Sequence, residues 1–238
     1  MVVVRITAMH MSDGLVDIPT AAVFGAVAVI GLALAVTRAR RDLDDRTAPM
    51  AGLVTAFVFA VQMINFPILP GASGHLLGGA LVAILVGPWV GALCIAIVLA
   101  VQALLFADGG LTTLGTNITN MALISVFVGY GVAMALRGLA RRSRAGLVAT
   151  AFVAALVATV GASLGFVLEY AIGGAAGAAL GTVFALMSGL HALIGVGEGV
   201  ITAATIGAVA AIRPDLVYLL RGTAAPLELR TATEGTGA

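Results

Sequence analysis

Residues 75–107 read "HLLGGALVAILVGPWVGALCIAIVLAVQALLFA", and after the leading histidine they contain no charged side chain. One backbone signal interrupts them. Gly87-Pro88 stops a helix, because proline has no N–H and its ring clashes with the preceding turn. The stretch therefore divides into His75–Val86 and Trp89–Phe106. Apart from His75, charge-free sequence extends back to Thr47, and further such windows cover Pro19–Thr37, Gly109–Leu136, Ala145–Leu168 and Gly199–Ile212. A spanning helix needs about 20 apolar residues, whereas the strands of a membrane barrel alternate polar and apolar positions. The windows predict an all-α integral membrane protein. Composition agrees: 61% of the 238 residues are hydrophobic and 10% charged, against roughly 25% charged in a soluble domain, and mean hydropathy is +1.15. The 31 glycines would weaken soluble helices, but in lipid they let helix backbones approach closely.

The charges set the topology. Every basic residue is arginine, and eleven of the twelve fall into three clusters: Arg38, Arg40, Arg41 and Arg46; Arg137, Arg141, Arg142 and Arg144; Arg213, Arg221 and Arg230. Such clusters flanking apolar spans stay in the cytoplasm, and they read as anchors rather than as a nucleic-acid surface. About seven transmembrane helices then alternate across the membrane, with the N-terminus outside and the C-terminus cytoplasmic. They run over Pro19–Thr37, Pro49–Phe66, His75–Val86, Trp89–Phe106, Asn117–Leu136 and Leu147–Tyr170, with a seventh from Ser188 to the last cluster. Between the last two, "GGAAGAALGTVFA" (173–185) reads as a short re-entrant or surface piece. Residues 9–212 form the expected transmembrane domain, and residues 213–238 a disordered cytoplasmic tail. Cys94 stands alone and reads as packing.

The opening "MVVVRITAMHMSDG" raises a chemical question. Residues 1–8 are too short for a signal peptide and strand Arg5 on the outer side, so they read as a doubtful extension or a misassigned start. A chain beginning at Met9 presents a Met-His terminus on the outer face. Its terminal amine and the His10 amide nitrogen close a five-membered chelate ring, and that amide with His10 Nδ1 closes a six-membered one. Three nitrogens in a plane suit Ni(II) or Cu(II). A fourth donor is available in His75, which the topology puts on the same side, although a lone loop histidine can also be simply solvated.

At these residues the chain resembles the substrate-binding membrane component of energy-coupling-factor transporters for cobalt and nickel, the CbiM/NikM family. The matching stretches are "MHMSDG", "SGHLLGG", "GTNITNMAL" and "HALIGVGEGVIT", from about Met9 to Thr202. The resemblance implies capture of Ni2+ or Co2+ at the outer face, through the Met9 amine, the His10 amide and ring, and His75. It implies a multi-pass protein of a prokaryotic plasma membrane, working with ATPase subunits, a coupling transmembrane subunit and a small accessory membrane subunit. The chain has no GxxxxGK[ST] motif and no lysine, so ATP hydrolysis falls to those partners and this chain is not an enzyme.

The remaining polar positions have two readings each. Asn117 and Asn120, three apart on one helical face, either cap the fifth helix or hold the metal ligands from a second shell. His191 and Glu198, seven apart and inside the membrane, pair between helices or support the site, and a direct metal role is open to His191 although the resemblance does not assign it one. Asp13, Asp17 and Asp108 draw cations to the entrance or are ordinary solvated carboxylates. Ala22 and Ala26 offer a flat face to a coupling helix. Two other functions use the same residues. A self-sufficient metal or proton-coupled carrier would relay protons through Glu169, Glu198 and His191, and an intramembrane metalloenzyme would need an open metal position beside an acid or base.

Overall fold

A computed structural model describes residues 10–45, 47–69 and 72–221. It is a helical bundle with one small hairpin. Helix α1 (Ile18–Ala39) begins where Asp17 caps it by accepting from the Thr20 N–H at 2.9 Å, with Pro19 in the first turn. Helix α2 (Thr47–Gln62) follows, then an antiparallel hairpin of β1 (Asn65–Leu69) and β2 (Ala72–His75), which pairs Asn65 with His75. The stretch between the second and third expected spans is thus a strand pair, a departure from an all-α chain.

Helix α3 (Gly79–Val86) stops at Gly87, whose φ of 88° is left-handed, and α4 (Pro88–Leu105) starts on the proline, as the sequence requires. The next span, Leu114–Ala135, combines α5 (Leu114–Asn117), a π-helical stretch (Ile118–Ile124) and α6 (Ser125–Ala135). A short α7 (Arg137–Arg142) precedes α8 (Arg144–Gly173), which Ser143 caps, and α9 (Leu180–Ile212) completes the bundle.

Among the described residues five helices are long and apolar enough to cross a membrane: α1, α4, the Leu114–Ala135 span, α8 and α9. All seven expected segments carry a helix, but α2 has 16 residues and α3 only eight. At 1.5 Å per residue α3 is about 12 Å long, too short for a hydrocarbon core of about 30 Å. All of its residues are buried. It is a half-helix sheathed by its neighbours, and glycine lets them close in: a Cβ on Gly79 would run into Ser125, and one on Gly129 would meet Ala80 at 2.8 Å. Of the re-entrant or surface piece expected over 173–185, residues 174–179 form an exposed, non-helical connection between α8 and α9. From Leu180 onward the chain is one uninterrupted helix of 33 residues, because it contains no proline and its glycines are tolerated where they meet a neighbour closely. Side chains at Gly195 and Gly199 would press on Leu156 and Phe152.

The outer surface is apolar, with Val29, Ile30, Leu193 and Ile212 exposed, while Gln62, Gln102, Thr159, Glu169 and Glu198 are buried. Arginines from all three clusters meet at one end. The Arg38 guanidinium lies over the Trp89 ring, Arg137 and Arg141 donate to the Arg221 carbonyl, and Arg221 donates to the Thr47 hydroxyl at 2.6 Å. Part of the stretch expected to be a disordered tail is ordered. Pro214–Leu216 and Tyr218–Leu220 form 3-10 turns that bury Val217 and Leu219 against this end. Residues 222–238 lie outside the described part.

Candidate metal centre

At the opposite end, the segment after residue 9 is threaded between the α4–α5 loop and the start of α5. Met11 is its fixed point. Its carbonyl accepts from the Gly110 N–H (3.0 Å), the Thr113 hydroxyl (2.5 Å) and Asn117 Nδ2 (3.1 Å), while its N–H donates to Asn117 Oδ1 (3.0 Å). Asn117 therefore grips the backbone beside His10 as a neighbouring strand would, and it caps no helix. Asp13 closes the clasp by accepting from the Thr112 N–H and hydroxyl. Burial raises the Asp13 carboxyl pKa, but these hydrogen bonds outweigh it and hold the group below its usual range. The loop takes an unusual path to do this. Ala107 and Gly109 have φ of 52° and 86°, and a Cβ on Gly109 would sit 2.9 Å from that of His10. Asp13 and Asp17 thus serve as clasp and cap.

His10 is buried, and its Nδ1–H donates to Asp108 Oδ1 at 3.3 Å, whereas Nε2 has no hydrogen-bond partner among the described residues. Chelation through Nδ1 requires the ring to leave Asp108. His75 arrives from the hairpin, and its ring centroid lies 4.6 Å from that of His10. The backbone carbonyl of Leu76 takes the His75 Nδ1 proton at 2.9 Å, so Nε2 keeps its lone pair for an ion. Burial, and then the neighbouring His10, push the His75 pKa down to about 3, with a smaller contribution of the same sign from His191. At neutral pH this imidazole has no proton to lose to a metal.

The turn after His75 is clamped from α9. The Glu198 carboxylate accepts from the N–H groups of Leu77 (2.9 Å) and Gly78 (2.8 Å) and from the Thr159 hydroxyl (2.9 Å). Gln62 donates to the Leu77 carbonyl at 2.8 Å. Glu198 therefore supports the site through the backbone. Asn120 lines the cavity and donates to Glu169 Oε2 at 2.6 Å, which ties the π-helical stretch to α8. His191 bonds within its own helix to the Met187 carbonyl (2.8 Å) and lines the same cavity as His10 and His75. The groups that a proton-relay carrier would need, Glu169, Glu198 and His191, have separate hydrogen-bond partners and no bond to one another.

The cavity is small, about 40 Å³. Among the described residues no three His, Cys, Asp or Glu side chains form a group that could hold a metal ion. Met9, the remaining expected donor, lies outside the described residues, as do residues 1–8. Sequence reasoning passed over Thr112, Thr113, Gly109 and Thr159. The first three belong to the loop "ADGGLTT", whose paired glycines mark a close backbone approach, whereas Thr159 lies inside α8 and carries no local signal.

Residues 10–216 match the model of the cobalt uptake substrate-specific transmembrane region. The chain is 40% identical to a putative fused nickel transport protein NikMN of Archaeoglobus fulgidus, over 88% of this chain and 68% of that protein. It is 32% identical to the cobalt transport protein CbiM of Sorangium cellulosum, over 90% of this chain and 96% of that one. A crystal structure of a transition metal transporter superposes with a TM-score of 0.80 at 29% identity, covering 90% of this chain and all of that one.

Proposed function

The chain belongs to the cobalt-uptake substrate-specific transmembrane family, and from that premise we propose that it captures Ni2+ or Co2+ at the outer face of a prokaryotic plasma membrane and delivers it inward as part of an ATP-driven transporter. The ion is cargo, and no bond of a substrate is made or broken. The donors are the amine of Met9 once it is terminal, the His10 amide and Nδ1, and His75 Nε2, in one plane. Planar nitrogen ligation favours Ni(II). Asn117, Asn120 and Glu198 hold the donors in place, His191 lines the cavity beside them, and Asp108 holds the ring nitrogen that the ion takes over. Seven helical segments cross or enter the bilayer, with the His10 end outside and the arginine end in the cytoplasm. Residues 9–212 form the transport domain, followed by a cytoplasmic tail. ATPase subunits, a coupling transmembrane subunit and a small accessory membrane subunit complete the machine. Ala22 and Ala26, exposed on α1, offer the coupling subunit a close-packing face.

One observation carries this reading. Two histidines 65 positions apart are buried ring to ring, each on a loop whose backbone is gripped by an interior side chain, Asn117 or Glu198. The test is uptake of radioactive nickel or cobalt by cells carrying the chain with its partner subunits. Uptake should collapse when the ATPase is inactivated or when His10 or His75 is replaced by alanine. Uptake that persists without the ATPase would establish a self-sufficient carrier instead.

A further inference from the structure

His191 belongs to neither the capture donors nor the clamp on the His75 turn, yet it is the third imidazole on the cavity. It is carried by the spanning helix α9 rather than by a loop, and it is 6% exposed. A buried imidazole needs an account of both nitrogens. Nδ1 lies 2.8 Å from the Met187 carbonyl, and a carbonyl only accepts, so Nδ1 carries the proton and Nε2 is an unprotonated donor of a lone pair. An imidazole held by a backbone carbonyl on one nitrogen is oriented as a metal ligand is. Nothing among the described residues donates a hydrogen bond to Nε2.

The rest of the lining agrees with this chemistry. Met121 and Met187 place thioethers on the same cavity, and no carboxylate lines it. Imidazole and thioether together suit late transition metals and not Mg2+ or Ca2+. Because no three ligand side chains converge in the described residues, His191 is no third arm of a single preformed site, and an ion reaches it by moving.

We propose that His191 Nε2 is a metal donor at an inner station, shared with His75, which receives the Ni2+ or Co2+ ion when His10 releases it, with the Met121 and Met187 thioethers alongside. The proposal rests on the capture reading above. The ion keeps its charge and exchanges one nitrogen donor for another.

The test uses the full chain in detergent or nanodiscs, titrated with Ni2+. His191→Asn keeps a donor for the Met187 carbonyl and removes the Nε2 lone pair. Introduced into the His10→Ala protein, it should weaken the residual binding by more than about tenfold, the lower end of what losing even a supporting partner costs a metal site. Identical residual binding with and without His191→Asn would overturn the proposal. Whether His10→Ala itself weakens binding tests the capture reading separately. Should the double variant not fold, Co2+-loaded His10→Ala protein decides the matter by proton NMR, since only His75 and His191 then remain. Two strongly shifted exchangeable imidazole N–H signals are expected, and a single one would overturn the proposal.

Discussion

Asn117 fixes the backbone beside a proposed metal donor without being one itself. Its amide matches the Met11 N–H and carbonyl donor for acceptor, which fixes the backbone on which the His10 amide nitrogen lies. Asn117→Asp keeps one arm and sets a carboxylate oxygen against the Met11 carbonyl. Nickel affinity in a titration of the purified protein should fall about 10–100-fold, as for a lost supporting partner. The sequence singled out this asparagine but left capping open, because spacing along a helix does not reveal which neighbour a side chain faces. His75 adds a pH dependence of definite sign. The unfolded chain takes up a proton near 6.5 and the folded protein only near 3, so its contribution to stability is complete above 6.5 and is lost as pH falls below it. The loss is about 1.4 kcal/mol per pH unit for this one group. Thermal melts should be flat in this respect above pH 7 and decline toward about pH 5, and His75→Gln should flatten that decline.

At the scale of elements, the half-helix α3 and its clamp organise the site. Glu198 on α9 holds the turn that joins His75 to α3, so the position of a capture ligand is tied to a spanning helix. Glu198→Gln turns an amide NH2 toward a backbone N–H. Each donor left unmatched costs about 1–3 kcal/mol, so the variant should melt lower and bind nickel more weakly, with Thr159→Val showing a smaller effect in the same direction. The break before α4 was legible because Gly87-Pro88 is local backbone chemistry. That α3 is sheathed rather than spanning was not legible, since an apolar run facing protein reads like one facing lipid. That α9 begins at Leu180 and not at Ser188 was not legible either, because the glycine-rich stretch 173–185 reads as a break although Gly181 stands inside the helix. The π-helical stretch at Ile118–Ile124 has no sequence signal comparable to a proline.

Over the whole molecule, charge and chemistry separate to opposite ends. The arginines of three distant clusters gather at one end, as the positive-inside reading expects, and His10, His75 and Asp108 gather at the other. The orientation can be checked with Cys94 replaced by alanine. A cysteine at Ala176, exposed near the histidine end, should react with a membrane-impermeant maleimide on intact cells, and one at Arg142 only after permeabilisation. The reverse pattern would place capture inside the cell. The central claim, a planar four-nitrogen site using a terminal amine, is tested most directly by nickel titration followed by optical absorption. Protein beginning at Met9 should bind one Ni2+ with the spectrum of a square-planar nitrogen complex, and that spectrum should vanish in His10→Ala, in His75→Ala and in protein retaining residues 1–8. Equally tight binding with the same spectrum when residues 1–8 are present would contradict the account.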